Sequence, residues 1–236
     1  MDASAYALAH GLQRTRGTLD AWRRRPWPVL AAWLRGSLTV ALALLAATWL
    51  ISLARAPAAG TAVFDAEPPL VAGGLHDVLR ILIHNLLVLA LHAMACVAGF
   101  IAGSSLPLQA AAQTGIRRWI HERGRPAAVG FVVCATTFSL ASQAYAIGTS
   151  AARVAPALHT SSALLLAGLL PHAVPELVAL FLPLAAWILA SRDGRWEQLL
   201  AATFVTTALA LPTLVLASLW EVYAAPHLLQ AMFGYG

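Results

Sequence analysis

The chain contains no lysine, only two cysteines and few charged residues of any kind. Charged side chains make up 11% of its 236 residues, whereas hydrophobic side chains make up 60%. A soluble domain of this size does not need so much apolar material. The composition therefore excludes a soluble globular protein and predicts a polytopic membrane protein.

Four further absences narrow the function. All basic residues are arginines that lie between apolar runs, a pattern that sets topology and does not indicate nucleic-acid binding. Cys96 and Cys134 both fall in apolar runs, so we expect packing residues and no disulfide. Residues 1–35 have no early apolar run and hence no predicted signal peptide. A phosphate-binding loop with the Gly-x-x-x-x-Gly-Lys-Ser pattern is missing, so any coupling to ATP would need a partner.

The hydropathy pattern predicts an all-α bundle of five transmembrane helices. The predicted spans are residues 38–53, 79–101, 127–148, 171–190 and 199–223. They form one transmembrane domain, residues 36–236. A basic amphipathic segment, residues 1–35, precedes it. In this segment we expect the Arg side chains to face lipid phosphates and the Trp side chains to lie at the headgroup level. Residues 155–170 are too short to span in addition, so we expect a re-entrant or interfacial piece before the fourth span.

The arginine distribution predicts the orientation. Twelve arginines lie in segments 1–35, 104–126 and 191–198, on one side of the predicted membrane. Only Arg55, Arg80 and Arg153 lie on or near the other side. Since cytoplasmic loops carry the excess of basic residues, the amino terminus is predicted inside and the carboxyl terminus outside.

The segment LPHAVPEL, residues 170–177, carries a histidine and a glutamate inside a predicted span. His172 and Glu176 are four residues apart, so they share one helix face. Pro171 suits the first turn of a helix, which places both residues near a helix amino terminus whose partial positive charge favours an ionised Glu176. Ionisable residues at membrane depth mark functional sites, although a buried polar pair that only ties helices together fits equally well.

The five-span topology brings polar residues of four helices to one level, the outer third of the membrane. The predicted polar cluster consists of Asn85, His92, Gln143, His172, Glu176 and Glu221. His92 follows Asn85 by seven residues, so both should face the bundle interior together with Gly99. His84 and Glu221 also fit the alternative of ordinary interfacial residues near helix ends.

Four motifs resemble the stage II sporulation protein M family. They are HNLLV at 84–88, QAYAIG at 143–148, LPHAVPEL at 170–177 and LWEVYAAP at 219–226. Family members have an Asn-rich second span, Asn-Gly in the third, His-Gly-x-x-Glu in the fourth, and Glu followed by Pro in the fifth. This chain has a single Asn85, Gln143 where Asn is usual, and Ala173 where Gly follows the His. The resemblance implies a multi-pass protein of the bacterial cytoplasmic membrane.

Three functions remain open. The resemblance implies a membrane scaffold, which in spore-formers holds peptidoglycan-cutting enzymes at the septum, with membrane or envelope proteins, or a second copy, as partners. A permease component with an outward-facing polar pocket is the first alternative, because broken helices are typical of transporters. A hydrolase with a divalent metal on His172, Glu176 and Glu221 is the second. Of these functions, we expect a non-enzymatic one without a cofactor, and we rank a bound divalent metal below it. The lipid bilayer surrounds the protein.

Overall fold

The computed structural model describes residues 3–55, 73–105, 107 and 114–233. In this part of the chain the regular structure is helical throughout. The α-helices are α1 (Ala3–Arg24), α2 (Pro26–Ala54), α3 (Leu75–Phe100), α4 (Gly115–Ala157), α5 (Ser162–Arg192), α6 (Leu199–Tyr223) and α7 (Ala225–Phe233). A π-helical turn, Ile101–Ser105, continues α3, and a 3₁₀ turn, Trp196–Gln198, precedes α6.

Among the described residues, helices α2 to α6 are the five that are long and apolar enough to cross a membrane. The predicted all-α bundle of five transmembrane helices is therefore confirmed. The fifth predicted span corresponds to α6, Leu199–Tyr223. The other helices are longer than their apolar runs; α4, at 43 residues, begins inside the basic segment and passes through Pro126 and Pro156.

Helix α5 is the centre of the bundle and contacts α2, α3, α4 and α6. Of its most apolar stretch, 61% is buried by protein, compared with 17–39% for the other four spans. A helix that is apolar on all sides is stable only where all sides are covered. The apolar run of Leu177–Trp187 accordingly forms the middle of the main core, with Phe181 completely buried.

The fourth span begins nine residues earlier than predicted, and the separate piece expected at residues 155–170 does not exist. Residues 155–157 end α4, a turn follows, and α5 starts at Ser162. The Oγ of Ser161 caps α5 by accepting a hydrogen bond from the backbone N–H of Leu164 at 3.2 Å. This cap sets the start of α5. Pro171 therefore lies inside the helix, where it is tolerated because neighbouring helices surround α5.

This correction moves His172 and Glu176 away from the helix end. Glu176 lies 14 residues after Ser162, about 21 Å along the axis at 1.5 Å per residue. The charge effect of a helix terminus falls off within the first turn. The expected stabilisation of an ionised Glu176 by the amino terminus of its helix is therefore wrong.

A second, smaller core extends the bundle beyond the main one, at the end where α4 finishes and α5 starts. Its buried members are Ala151, Ala155, Leu158, Leu165, Leu166 and Leu229. Leu229 comes from α7, so a helix that follows the fifth span packs on the bundle. Residues 234–236 lie outside the described residues.

The predicted amino-terminal segment is divided between two helices. Helix α1 ends at Arg24, and α2 begins at Pro26, so the boundary predicted at residue 35 falls inside α2. Trp33 is buried against Leu182 and Ala186 of α5 and meets Trp22 edge to face, with ring centroids 5.0 Å apart. Trp33 is thus a core residue whose ring packs against α5; its depth relative to the lipid headgroups stays a prediction.

Candidate functional site

Three polar contacts join α3 to the central helix. The Nδ2 of Asn85 donates to Oε1 of Glu176 at 2.8 Å. Farther along both helices, Nδ1 of His92 lies 3.1 Å from the carbonyl oxygen of Leu180. Beyond that, Sγ of Cys96 donates to the carbonyl of Pro183 at 3.1 Å. The contacts advance in the same direction on both helices, so α3 and α5 run parallel, as the second and fourth spans of an alternating bundle must.

The inward stripe on α3 is confirmed. Asn85, His92 and Gly99 are all buried, and a Cβ added at Gly99 would lie 2.8 Å from the indole nitrogen of Trp187. Cys96 lies on the same face and is a free, completely buried thiol, as expected of a packing residue. Seven-residue spacing returns a side chain to almost the same direction, which is why this stripe was predictable from sequence.

His92 is the most deeply buried polar ring of this seam. A carbonyl oxygen can only accept, so Nδ1 of His92 must carry the proton that it shares with Leu180. The ring is completely buried and packs edge to face on Phe181. Its Nε2 has no hydrogen-bond partner in the described part of the chain. This position makes His92 part of the core and separates it from the cavities described next.

Polar side chains from four spans meet at a cavity of about 580 Å³, here called the main cavity. Its polar lining consists of Arg80, His84, Asn85, Ser142, Gln143, Glu176 and Glu221. Asn85, Gln143, Glu176 and Glu221 are four of the six residues of the predicted cluster, so the structure does bring these four together. Gln143 also donates through Nε2 to the hydroxyl of Ser139 on its own helix, at 3.0 Å.

A second cavity, of about 390 Å³, adjoins the main one and is lined by α3, α5, α6 and α7. Arg80, Ile81 and Glu221 belong to the linings of both cavities. His172 lines only the second cavity, where Nδ1 is buried without a hydrogen-bond partner among the described residues. The structure therefore separates His172 from Glu176, although both share one helix.

This separation bears on the candidate metal site. Glu176 lines the main cavity, His172 lines the second, and Glu221 lies between them. In the described part of the chain, no three His, Cys, Asp or Glu residues form a group that suits a metal ion. A metal site on His172, Glu176 and Glu221 stays a prediction.

The predicted cluster left out three polar residues that line the main cavity, namely His84, Ser142 and Arg80. Arg80 was placed only at the outer edge of the second span. Its Nη2 lies 3.3 Å from Oδ1 of Asp77, one turn earlier. Asp77 also accepts from the backbone N–H of Gly74 at 3.0 Å, which caps α3. The Asp-x-x-Arg spacing of an i, i+3 helix pair was the available signal for this contact.

The chain was compared with protein-family models, with curated proteins and with solved structures, and none of them matches. Inferences about this chain therefore rest on its own structure, namely the five-helix architecture and the two cavities. The length and apolar composition of α2 to α6 establish an integral membrane protein built as an all-α bundle of five transmembrane helices.

Proposed function

We propose that this protein is the membrane-embedded component of a permease that takes a small polar solute into the main cavity. The observation that supports this best is the cavity itself, which is lined by polar groups from α3, α4, α5 and α6. Its volume of about 580 Å³ falls in the range of small-molecule sites. Polar residues in spans that face a cavity are typical of substrate pathways.

The central helix adds a second argument. Pro171, Pro175 and Pro183 all lie inside α5. Each proline lacks an N–H and leaves one helix carbonyl without its usual partner, so the helix is locally weaker there. The helix is nevertheless continuous from Ser162 to Arg192, so the prolines weaken it locally without interrupting it. Energy would come from an ion gradient or from a partner that hydrolyses ATP.

The scaffold is the second candidate, and the seam between α3 and α5 favours it. Three contacts, one of them the 2.8 Å hydrogen bond between Asn85 and Glu176, hold two spans in register and need no substrate. Membership of the stage II sporulation protein M family is part of this proposal. It is supported by the way motif residues of three separate spans, Asn85, Glu176 and Glu221, meet at one place.

Uptake into membrane vesicles separates the two candidates. The vesicles come from host cells in which the native copy of the protein has been removed and the protein, or a variant of it, is expressed in its place. Any partner protein of the host is then present. The probes are radiolabelled putrescine, choline, alanine and acetate. Ala146 lines the main cavity and Ala90 lines neither cavity, so Ala146→Trp fills the cavity and Ala90→Trp is its matched control.

The permease proposal expects uptake of at least one probe, its loss in Ala146→Trp and its retention in Ala90→Trp. Both variants should insert in similar amounts, since Ala90 and Ala146 are both exposed in the isolated chain. Absence of uptake for every probe, or uptake that Ala146→Trp leaves unchanged, contradicts the permease and leaves the scaffold as the better explanation.

A further inference from the structure

We infer that a pocket at the opposite end of the bundle, here called the basic pocket, binds the headgroup of an anionic phospholipid. The pocket has a volume of about 230 Å³ and lies where α2 begins and α5 ends. The end of α1, the loop after α5 and the start of α6 complete its wall. It shares no lining residue with the main or the second cavity, so the inference goes beyond the proposed function and does not depend on it.

The lining of the basic pocket has an apolar part and a polar part, as the headgroup region of a lipid requires. Val29 and Trp33 of α2 and Leu189 of α5 belong to the apolar part. The charged and amide members come from the end of α5 and the turn before α6; they are Arg192, Asp193, Arg195 and Gln198. The volume lies below roughly 300 Å³, the lower limit of drug-sized sites, so the pocket suits a glycerophosphate group and leaves the acyl chains in the bilayer.

The polar part of the pocket carries a net positive charge, because two guanidinium groups share one carboxylate. Nε of Arg192 donates to Oδ1 of Asp193 at 3.1 Å, and Nη2 of Arg195 donates to Oδ2 of the same side chain. A guanidinium group has five N–H donors, and each of these bonds uses only one of them. Both arginine side chains are exposed, so donors remain for the oxygens of a phosphate.

The neighbouring end of α1 adds further positive charge. Trp22, which lines the pocket, is followed directly by Arg23, Arg24 and Arg25. Arg23 lies 3.9 Å from Asp20, whereas Arg24 and Arg25 have no carboxylate within ion-pair distance in the part of the chain that the structure describes. Basic pockets between spans on the cytoplasmic side attract anionic lipid headgroups. The arginine distribution predicts that this end of the bundle is the cytoplasmic one.

The position of the pocket favours a lipid over a phosphate dissolved in water. Trp27, at the start of α2, is exposed and precedes two residues of the lining, Pro28 and Val29. Exposed Trp side chains at the end of a span are typical of the interface between lipid and water. A lipid held by its phosphate also places its glycerol carbons against the apolar part of the pocket, a contact that inorganic phosphate cannot make.

Lipid titration of the purified protein tests the inference. Dioleoyl phosphatidylglycerol or dioleoyl phosphatidylcholine is added to the protein in detergent, and native mass spectrometry counts the lipid molecules bound. The two lipids have the same acyl chains and the same phosphate, but only phosphatidylglycerol has a net negative charge. Phosphatidylglycerol should fill one saturable site at a concentration roughly tenfold lower than phosphatidylcholine. Soluble sn-glycerol 3-phosphate at that concentration should not displace it.

Three substitutions separate a built site from the general attraction of a basic surface. Arg195→Gln should raise the phosphatidylglycerol concentration for half saturation roughly tenfold, because a charged donor is lost. Asp193→Asn should lower that concentration, because it removes the carboxylate that competes with the phosphate. Arg16→Gln is the matched control: Arg16 is exposed on α1, lies outside the pocket and changes the net charge equally. It should leave binding unchanged.

Filling the pocket tests its shape independently of charge. Ala32 lines the pocket, and its neighbour Ala31 is equally half-buried on α2 but does not line it. Ala32→Phe should therefore weaken binding of phosphatidylglycerol, whereas Ala31→Phe should not. Thermal unfolding in the same detergent verifies that each variant is folded. The tighter binding expected of Asp193→Asn cannot result from unfolding, so it decides the matter if another variant is unstable.

The outcomes either support or overturn the lipid site. Equal binding of the two lipids overturns it, and so does equal weakening by Arg195→Gln and Arg16→Gln, which would show a general attraction to basic surface. Displacement of the lipid by sn-glycerol 3-phosphate at equal concentration assigns the pocket to a soluble phosphate ester and overturns the inference as well. None of these results changes the expected uptake through the main cavity, because the two sites share no residue.

Discussion

Among individual residues, Asn85 and Glu176 carry the most structural information about the site. They are 91 residues apart in sequence and make the hydrogen bond that fixes α3 against the central helix. Asn85 is 4% exposed, and Glu176 is half-buried at the wall of the main cavity. Asn85 therefore contributes to helix packing, whereas Glu176 also contributes a carboxylate to the cavity. Substitutions at the two positions can separate the effect on stability from the effect on the cavity.

Glu176→Gln should leave the fold intact and abolish uptake. The Gln carbonyl can still accept from Asn85, while the negative charge is lost from the cavity. Asn85→Leu should instead lower the free energy of unfolding by about 1–3 kcal/mol, because Glu176 loses its donor. Thermal unfolding in detergent and uptake in vesicles measure the two effects. A Glu176→Gln protein with normal uptake would exclude a role for this charge in transport.

Asp193, in the short loop after α5, gives a prediction for pH. Hydrogen bonds from Arg192 and then Arg195 lower the pKa of this exposed carboxyl group below its usual value. A lowered pKa in the folded protein means stability that is present above the unfolded-state pKa and is lost as pH falls through the folded value. The difference in melting temperature between wild type and Asp193→Asn should be small at pH 7, because the pairs are exposed, and vanish toward pH 3. A difference that grows on acidification contradicts this assignment.

Among the helices, α2 and α4 show how closely small residues let spans approach. A Cβ added at Gly148 of α4 would lie 2.8 Å from the backbone carbonyl oxygen of Thr48 and 2.8 Å from side-chain atoms of Ile51. A backbone carbonyl of a packed helix cannot move aside as a flexible side chain can. The contact is therefore specific to glycine at position 148, as in other closely packed membrane helices.

Gly148→Ala should force α4 away from α2 and lower the free energy of unfolding by about 1–3 kcal/mol. Gly130 lies on the same helix, is exposed, and has nothing within 4 Å of an added Cβ. Gly130→Ala is therefore the matched control and should be neutral or stabilising by up to about 1 kcal/mol. Thermal unfolding of the two variants in the same detergent compares them. Equal losses of stability would show that the close approach of α2 and α4 is not the cause.

For the whole molecule, the arginine distribution still predicts an orientation with the amino terminus inside. The structure adds that both cavities lie toward the end where α3 and α5 begin and α6 finishes, away from the more basic segments. The predicted orientation would therefore open both cavities toward the outside. This is the side from which an importer collects its solute.

Cysteine labelling in intact cells tests this orientation, in a chain with Cys134 replaced by Ser. An impermeant maleimide should label a cysteine introduced at Ala66, between the first two spans, and should label one introduced at Gly124 only after the cells are opened. The physical reason is that basic segments such as the one around Gly124 are retained in the cytoplasm. The reverse labelling pattern would turn the cavities toward the cytoplasm and make an exporter the better proposal.

The amino-acid sequence by itself determined the membrane class, the five spans, the inward stripe of Asn85, His92 and Gly99, and the shared level of Asn85, Gln143, Glu176 and Glu221. Each of these depends on properties local to one segment, namely its partition between water and lipid, its helical periodicity and its direction through the bilayer. Tertiary structure alone decided that α5 continues through Pro171, that Trp33 is buried, and that His172 and Glu176 face different cavities. Those features depend on the rotation and close packing of helices far apart in sequence, which no local pattern encodes.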